Sequence, residues 1–255
     1  MADVVGCERC PRLREWCRLV ARVKVKRFRH EEYWGRPVPG FGDPHARLLV
    51  VGLAPAAHGG NRTGRVFTGD RSGDFLFAAL HRSGFASQPE SVSRDDGLAL
   101  SGCYVAAAAR SAPPGNRPVP EEIGHCREYL AREWSLLPEV RAVLALGKVA
   151  MDGFLAMLRA SGRVPSRKGY AFGHGTVHDL GDGLRLFGSY HPSQQNTFTG
   201  RLTASRFDTV LQAVNRHLGR AVTGDARTPG RPRAGGRRGT DKGKPAMTTP
   251  GGATS

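Results

Sequence analysis

The sequence has no apolar run approaching the roughly 20 residues needed to cross a bilayer; its longest, residues 48–55 and 142–146, fall far short. No charged-then-apolar segment opens it, so the expectation is a cytoplasmic protein, neither exported nor membrane-inserted. Cysteines are too few for a disulfide framework: five, an odd number, in 255 residues, as suits a reducing compartment. Lysine is scarce, 6 against 32 arginines. With alanine and glycine abundant, that is the mark of a GC-rich genome, so some of the arginine reflects codon use. No internal repeat is visible.

What the sequence does have is charge. The formal balance is +16, which suggests a polyanionic partner and says nothing about chemistry. Residues 220–255 carry eight Lys/Arg and two Asp, so +6 lies there and +10 in residues 1–219. From residue 222 the chain is Gly, Pro, Thr and Arg without apolar periodicity. It is expected to be a disordered tail, either a solubilising appendage or a weak tether to nucleic acid.

Residues 1–221 are expected to form one domain of alternating strands and helices. Residues 12–28 place Leu13, Trp16, Leu19, Val20 and Val23 at helical spacing. Residues 47–53, 103–109, 141–146 and 184–190 read as buried strands. Helices are expected over 72–85, 120–137, 147–159 and 203–218, and a short edge pair over 170–180. The pattern predicts a three-layer αβα fold around a mostly parallel four-stranded sheet. Ligands of such sheets bind beyond the carboxyl ends of the strands, so the loops after Leu53, Ala109, Leu146 and Tyr190 should hold the site.

The first of these loops runs from Gly52 to Asp70 and is rich in glycine. It lacks both the Gly-Lys-Ser/Thr ending and the three-glycine dinucleotide spacing, so a nucleotide cofactor is not expected. It presents Phe67 and Asp70 three residues apart. By themselves they could be a core aromatic and the N-cap of the next helix. The fourth loop carries His191-Pro192-Ser193, then Gln194, Gln195, Asn196 and Thr197, and ends in Gly200-Arg201-Leu202-Thr203.

Together, Gly-Leu-Ala-Pro-Ala-Ala-His-Gly…Asn-Arg-Thr-Gly-Arg…Phe-Thr-Gly-Asp and His-Pro-Ser…Asn…Thr-Gly-Arg-Leu-Thr resemble the uracil-DNA glycosylase superfamily. The closer resemblance is to family 5, the type B enzymes of bacteria and archaea, over residues 7–218. It implies a monofunctional glycosylase that starts base excision repair in the nucleoid by cleaving the N-glycosidic bond of a deaminated base flipped out of double- or single-stranded DNA. It implies that Phe67 stacks on that base, within a pocket that includes Gly52, Ala54 and Asn196. Asp70 is implied to orient or deprotonate water and stabilise the oxocarbenium-like sugar. His191 would donate to O2 of the leaving uracil, and Asn116 would help hold or activate substrate. Where relatives carry a uracil-reading Asn, this sequence has Ala107, which predicts tolerance of hypoxanthine and xanthine. Arg62, Arg65 and Arg201 are expected on phosphates, with Gln194, Gln195 or Leu202 as the wedge filling the vacated stack. A monomer is expected.

The resemblance also implies a [4Fe–4S] cluster on Cys7, Cys10, Cys126 and a fourth cysteine, and there this sequence has Ser111. Three readings remain: Ser111 ligates as an alkoxide, Cys17 substitutes, or the cluster is absent. Cys103 is too far back along its strand, and zinc on the same ligands is the lesser alternative. A non-catalytic sensor of DNA damage or abasic sites is the competing function, and a metal-binding RNA module a third.

Overall fold

Four parallel strands, each five residues long, form the floor of the molecule in a computed structural model that describes residues 2–220. In chain order the elements are α1 (Ala2–Val5), α2 (Pro11–Val23), β1 (Phe41–Gly42), β2 (Leu48–Gly52), α3 (Gly60–Thr63), α4 (Arg71–Arg82), β3 (Cys103–Ala107) and α5 (Pro120–Ser135). They continue with β4 (Ala142–Leu146), α6 (Lys148–Ala160), β5 (Val177–Asp179), β6 (Arg185–Ser189), α7 (Gln194–Phe198) and α8 (Ala204–His217). The basic tail expected from residue 222 lies outside the described residues.

The sheet order is β1-β3-β2-β4-β6-β5. β3, β2, β4 and β6 are mutually parallel, and the short outer strands β1 and β5 run antiparallel to their neighbours. The expected four-stranded parallel core is therefore flanked by two edge strands. One, β5, falls in the segment read as an edge pair; β1 is too short to register as a strand pattern.

Successive strand residues point to opposite faces, and both faces are dry. Leu48, Val50, Val105, Leu144 and Phe187 pack under α4 and α8 with Leu76, Leu80, Phe207 and Leu211. Leu49, Val51, Ala106, Val143 and Leu186 pack under α5 and α6 with Leu130, Phe154, Leu155 and Leu158. These are the three layers. Chain leaving β2 and β6 leads to α4 and α8 on one face; β3 and β4 lead to α5 and α6 on the other. Neighbouring strands β2, β4 and β6 thus send the chain to alternate faces, which opens a crevice at their carboxyl ends. Among the described residues, no helix is long and apolar enough to cross a membrane.

Candidate active site

Two loops meet at the crevice. From the end of β6, His191 swings over the end of β4, where a Cβ added to Gly147 would lie 3.6 Å from the His191 Cβ. From the first loop comes Phe67, its ring centroid 5.7 Å from that of His191 at an interplanar angle of 30°. Phe67 takes a left-handed backbone conformation with φ of 53°, a strained state for a bulky residue. Gly73 permits it, because a Cβ there would stand 1.8 Å from the Phe67 carbonyl oxygen. Gly52, the last residue of β2, gives the ring its room: a Cβ would approach it to 2.6 Å. Ala107, beside Gly52 in register, brings no polar atom to this floor. Ala54 is half-buried in the same loop.

Asp70 caps α4. Its Oδ1 accepts from the Ser72 and Gly73 amides at 2.9 and 3.0 Å, while Oδ2 accepts no hydrogen bond among the described residues and faces Gly59. The capping and catalytic readings of this carboxylate are therefore compatible, one oxygen for each. Burial pushes the Asp70 carboxyl above the usual carboxylate range, partly offset by those two amides. Burial also lowers His191 to about 4, which leaves a neutral imidazole at neutral pH.

Several other expected site residues have different surroundings. Arg62 is 9% exposed; it donates to the carbonyls of His58 and Gly69 at 2.9 Å each, pairs with Glu31 and lies over the Phe28 ring. Arg65, 5% exposed, donates to Thr68, Ser91 and Asp96 at 2.9, 2.8 and 2.7 Å. Both guanidiniums organise the first loop from inside and are not surface phosphate contacts, since their donors are occupied and buried. Leu202, 1% exposed, packs in the core beneath α8. It cannot wedge into DNA.

Asn196 acts on the protein: its Nδ2 donates to the His191 carbonyl at 2.8 Å, and its own carbonyl accepts from the Leu202 amide. It thereby clamps the His191 loop. Gln194, Gln195 and Arg201 are exposed, and the Arg201 guanidinium lies 4.3 Å from the Tyr190 ring centroid. Asn116 is exposed on a short turn with φ of 57°, and its side chain bonds to none of the other site residues.

Two features escaped sequence reasoning. Phe198, at the end of α7, is 67% exposed, and Arg71, next to Asp70, lies over its ring at 5.2 Å. Tyr190 is stacked on His174 at 5.2 Å, bracing the strand end from which His191 departs. Phe198 could have been noticed as a lone aromatic in an otherwise polar loop. His174 gives no such signal, because its role depends on residues 170–180 folding back beside β6.

Away from the crevice, Cys7, Cys10 and Cys126 gather where the amino-terminal segment meets α5. Burial, then Cys126, Glu122 and Cys7, pushes the Cys10 thiol up to about 11. Cys10 Sγ lies 3.3 Å from His125 Nδ1, and the Tyr129 hydroxyl bonds to Cys7. Cys17 is elsewhere: its thiol donates to the Ala112 carbonyl at 3.4 Å and lies against Ser111. Among the described residues, no three His, Cys, Asp or Glu side chains are close enough to bind a single metal ion.

A family model for the uracil DNA glycosylase superfamily matches residues 39–215. A type-5 uracil-DNA glycosylase of Mycobacterium tuberculosis is 51% identical over 84% of this chain and 78% of its own. One of Thermus thermophilus is 49% identical over 85% of this chain and 95% of its own. One of Pyrobaculum aerophilum is 46% identical, with 82% and 88% covered. With its crevice built from the two loops that carry the resemblance, and relatives matched over most of their length, this chain belongs to the uracil DNA glycosylase superfamily, among its type-5 members.

Proposed function

We propose that this chain is a monofunctional uracil-DNA glycosylase in which Phe67, Asp70 and His191 act on a uracil flipped out of DNA. The observation that carries the reading is the meeting of Phe67 and His191 at the crevice, beside a capping carboxylate with one free oxygen. The extruded base stacks on Phe67. Asp70 Oδ2 orients a water and takes its proton as the water attacks the sugar carbon; the same negative charge stabilises the oxocarbenium-like sugar. The bond to N1 breaks with its electron pair on the base, and the resulting anion is held at O2 by an N–H of neutral His191. A neutral donor suits this step, since it stabilises the anion without needing a proton on the ring beforehand. No lysine stands in either loop for a Schiff base, so strand cleavage does not accompany base release.

Asn116 supports substrate binding from the loop after β3. Exposed Arg201, Gln194 and Gln195 contact DNA, and Phe198 replaces Leu202 as the group that fills the vacated stack. With Ala107 at the pocket floor no side-chain amide selects uracil, so hypoxanthine and xanthine are also released. Cys7, Cys10 and Cys126 hold a [4Fe–4S] cluster. The three thiols act on one another across the junction of the amino-terminal segment and α5, and thiolate sulfur is the donor that iron–sulfur clusters take. When bound, the cluster crosslinks the amino-terminal segment to α5. The test is single-turnover base release from uracil, hypoxanthine and xanthine duplexes, with Asp70→Asn and His191→Ala as controls. Release that both variants slow by about 100-fold or more supports the reading; tight binding of damaged DNA without release by the unsubstituted chain indicates a sensor instead.

A further inference from the structure

We propose that His125 is the fourth ligand of the cluster, a nitrogen donor standing in for the thiolate that Ser111 does not supply. The inference rests on the cluster reading above and concerns a residue outside the expected ligand set.

Its first ground is position. His125 precedes Cys126 on α5, and its Nδ1 reaches to 3.3 Å from Cys10 Sγ, so its ring stands against one of the three cysteines. No other nitrogen side chain among the described residues forms a hydrogen bond with any of the three. The second ground is that the other candidates are directed elsewhere. Ser111 and Cys17 lie against each other, and the Cys17 thiol is spent on the Ala112 carbonyl. Cys17 also faces Arg14, not the other cysteines. The third is chemical. Neutral imidazole is an established donor to iron in iron–sulfur centres, whereas a serine hydroxyl must first lose a proton from a far weaker acid. The ring is half-buried and its other nitrogen, Nε2, lies 3.8 Å from Glu121 Oε1. At that distance Glu121 is an electrostatic neighbour of the ring and not a hydrogen-bond partner. Nδ1, the nitrogen turned toward Cys10, is the one placed to reach iron. Exchanging thiolate for imidazole removes one negative charge from the cluster and raises its reduction potential.

The experiment uses the full chain purified anaerobically, with iron, sulfide and zinc counted per chain and the absorbance near 400 nm recorded. The chain with ¹⁵N-labelled histidine is then reduced and examined by pulsed electron paramagnetic resonance. The expected result is about four irons per chain and a hyperfine coupling to histidine nitrogen. His125→Ala should lower iron to about three and remove the coupling, and His125→Cys should restore the iron without the coupling. Ser111→Ala and Cys17→Ala should leave both signals unchanged. A four-iron cluster with no nitrogen coupling, or one lost in Ser111→Ala but kept in His125→Ala, overturns the assignment to His125 while sparing the cluster. An iron-free chain, with or without zinc, overturns the cluster and this inference together.

Discussion

At the scale of single residues, the proposed chemistry turns on two groups whose protonation is set by burial. Asp70 must be ionised to accept a proton from water, and its carboxyl is held above the ordinary value near 3.9. Release should therefore slow as pH falls, with a midpoint above that value. His191, lowered to about 4, is already neutral throughout the range from pH 5 to 8. Raising the pH through the ordinary histidine range near 6.5 should cost no activity. Single-turnover rates against pH will show this; a decline between about pH 6 and 7.5 that disappears in His191→Gln would require a protonated imidazole instead. Removing the donor altogether, His191→Ala, should slow release by about 10²–10³-fold, the usual loss for one oxyanion-type donor. Asp70→Asn keeps the cap to Ser72 and Gly73 through its amide oxygen and loses the base. It should cost about 10²–10⁴-fold with little change in stability.

At the scale of elements, the loop after β6 is what the tertiary structure clarified. Read as sequence, Leu202 was an apolar side chain in a polar loop and a candidate wedge. Folded, it is an anchor beneath α8, and α7 lifts Phe198 into solvent on the same stretch. Base–aromatic stacking is worth about 1–3 kcal/mol, so Phe198→Ala should slow release from a uracil·adenine duplex roughly tenfold or more. Release from single-stranded DNA should barely change, because no stack needs filling, and a uracil·guanine mispair should fall between, as it opens at lower cost. Equal losses on all three substrates would place Phe198 in the pocket or the fold, not in the duplex. Helix α2 shows a similar limit on periodicity. Leu13 and Val20 are buried as expected, but Leu19 and Val23 are 40% and 69% exposed and Cys17 takes their place on the inner face.

At the scale of the whole molecule, one buried ion pair ties the crevice to the scaffold. Arg110, in the loop after β3, donates to both Glu133 oxygens on α5 at 3.0 and 2.5 Å, and Glu133 also accepts from the Gly40 amide at 2.9 Å. Removing one partner strands a buried charge, which typically costs about 3–5 kcal/mol. Glu133→Ala should therefore lower Tm by roughly 6 °C or more in thermal unfolding. A replacement of both residues by apolar ones should recover much of that loss. Glu133→Ala leaving Tm unchanged would mean that water enters the site. Charge acts at this scale too, but less than the count of +16 suggests. Two arginines expected on phosphates, Arg62 and Arg65, are neutralised inside the first loop by Glu31 and Asp96. The salt dependence of binding should accordingly not change through a phosphate contact at either position, and their substitution should register first as a loss of stability.

The layering, the parallel core and the two loops that meet at the crevice were all legible in the sequence. Strands as continuously apolar as β2, β3 and β4 are buried on both faces of a sheet, and glycine-rich segments at strand ends are where backbone can approach a ligand. Tertiary structure alone decided which loop residues face inward. Arg62, Arg65 and Leu202 were indistinguishable in sequence from exposed neighbours such as Arg201, because their burial comes from partners distant along the chain: Glu31, Asp96 and the packing of α8. The same holds for the cysteines. The sequence showed that Ser111 breaks the expected ligand set, and only folding brought His125 against Cys10, from 115 residues away.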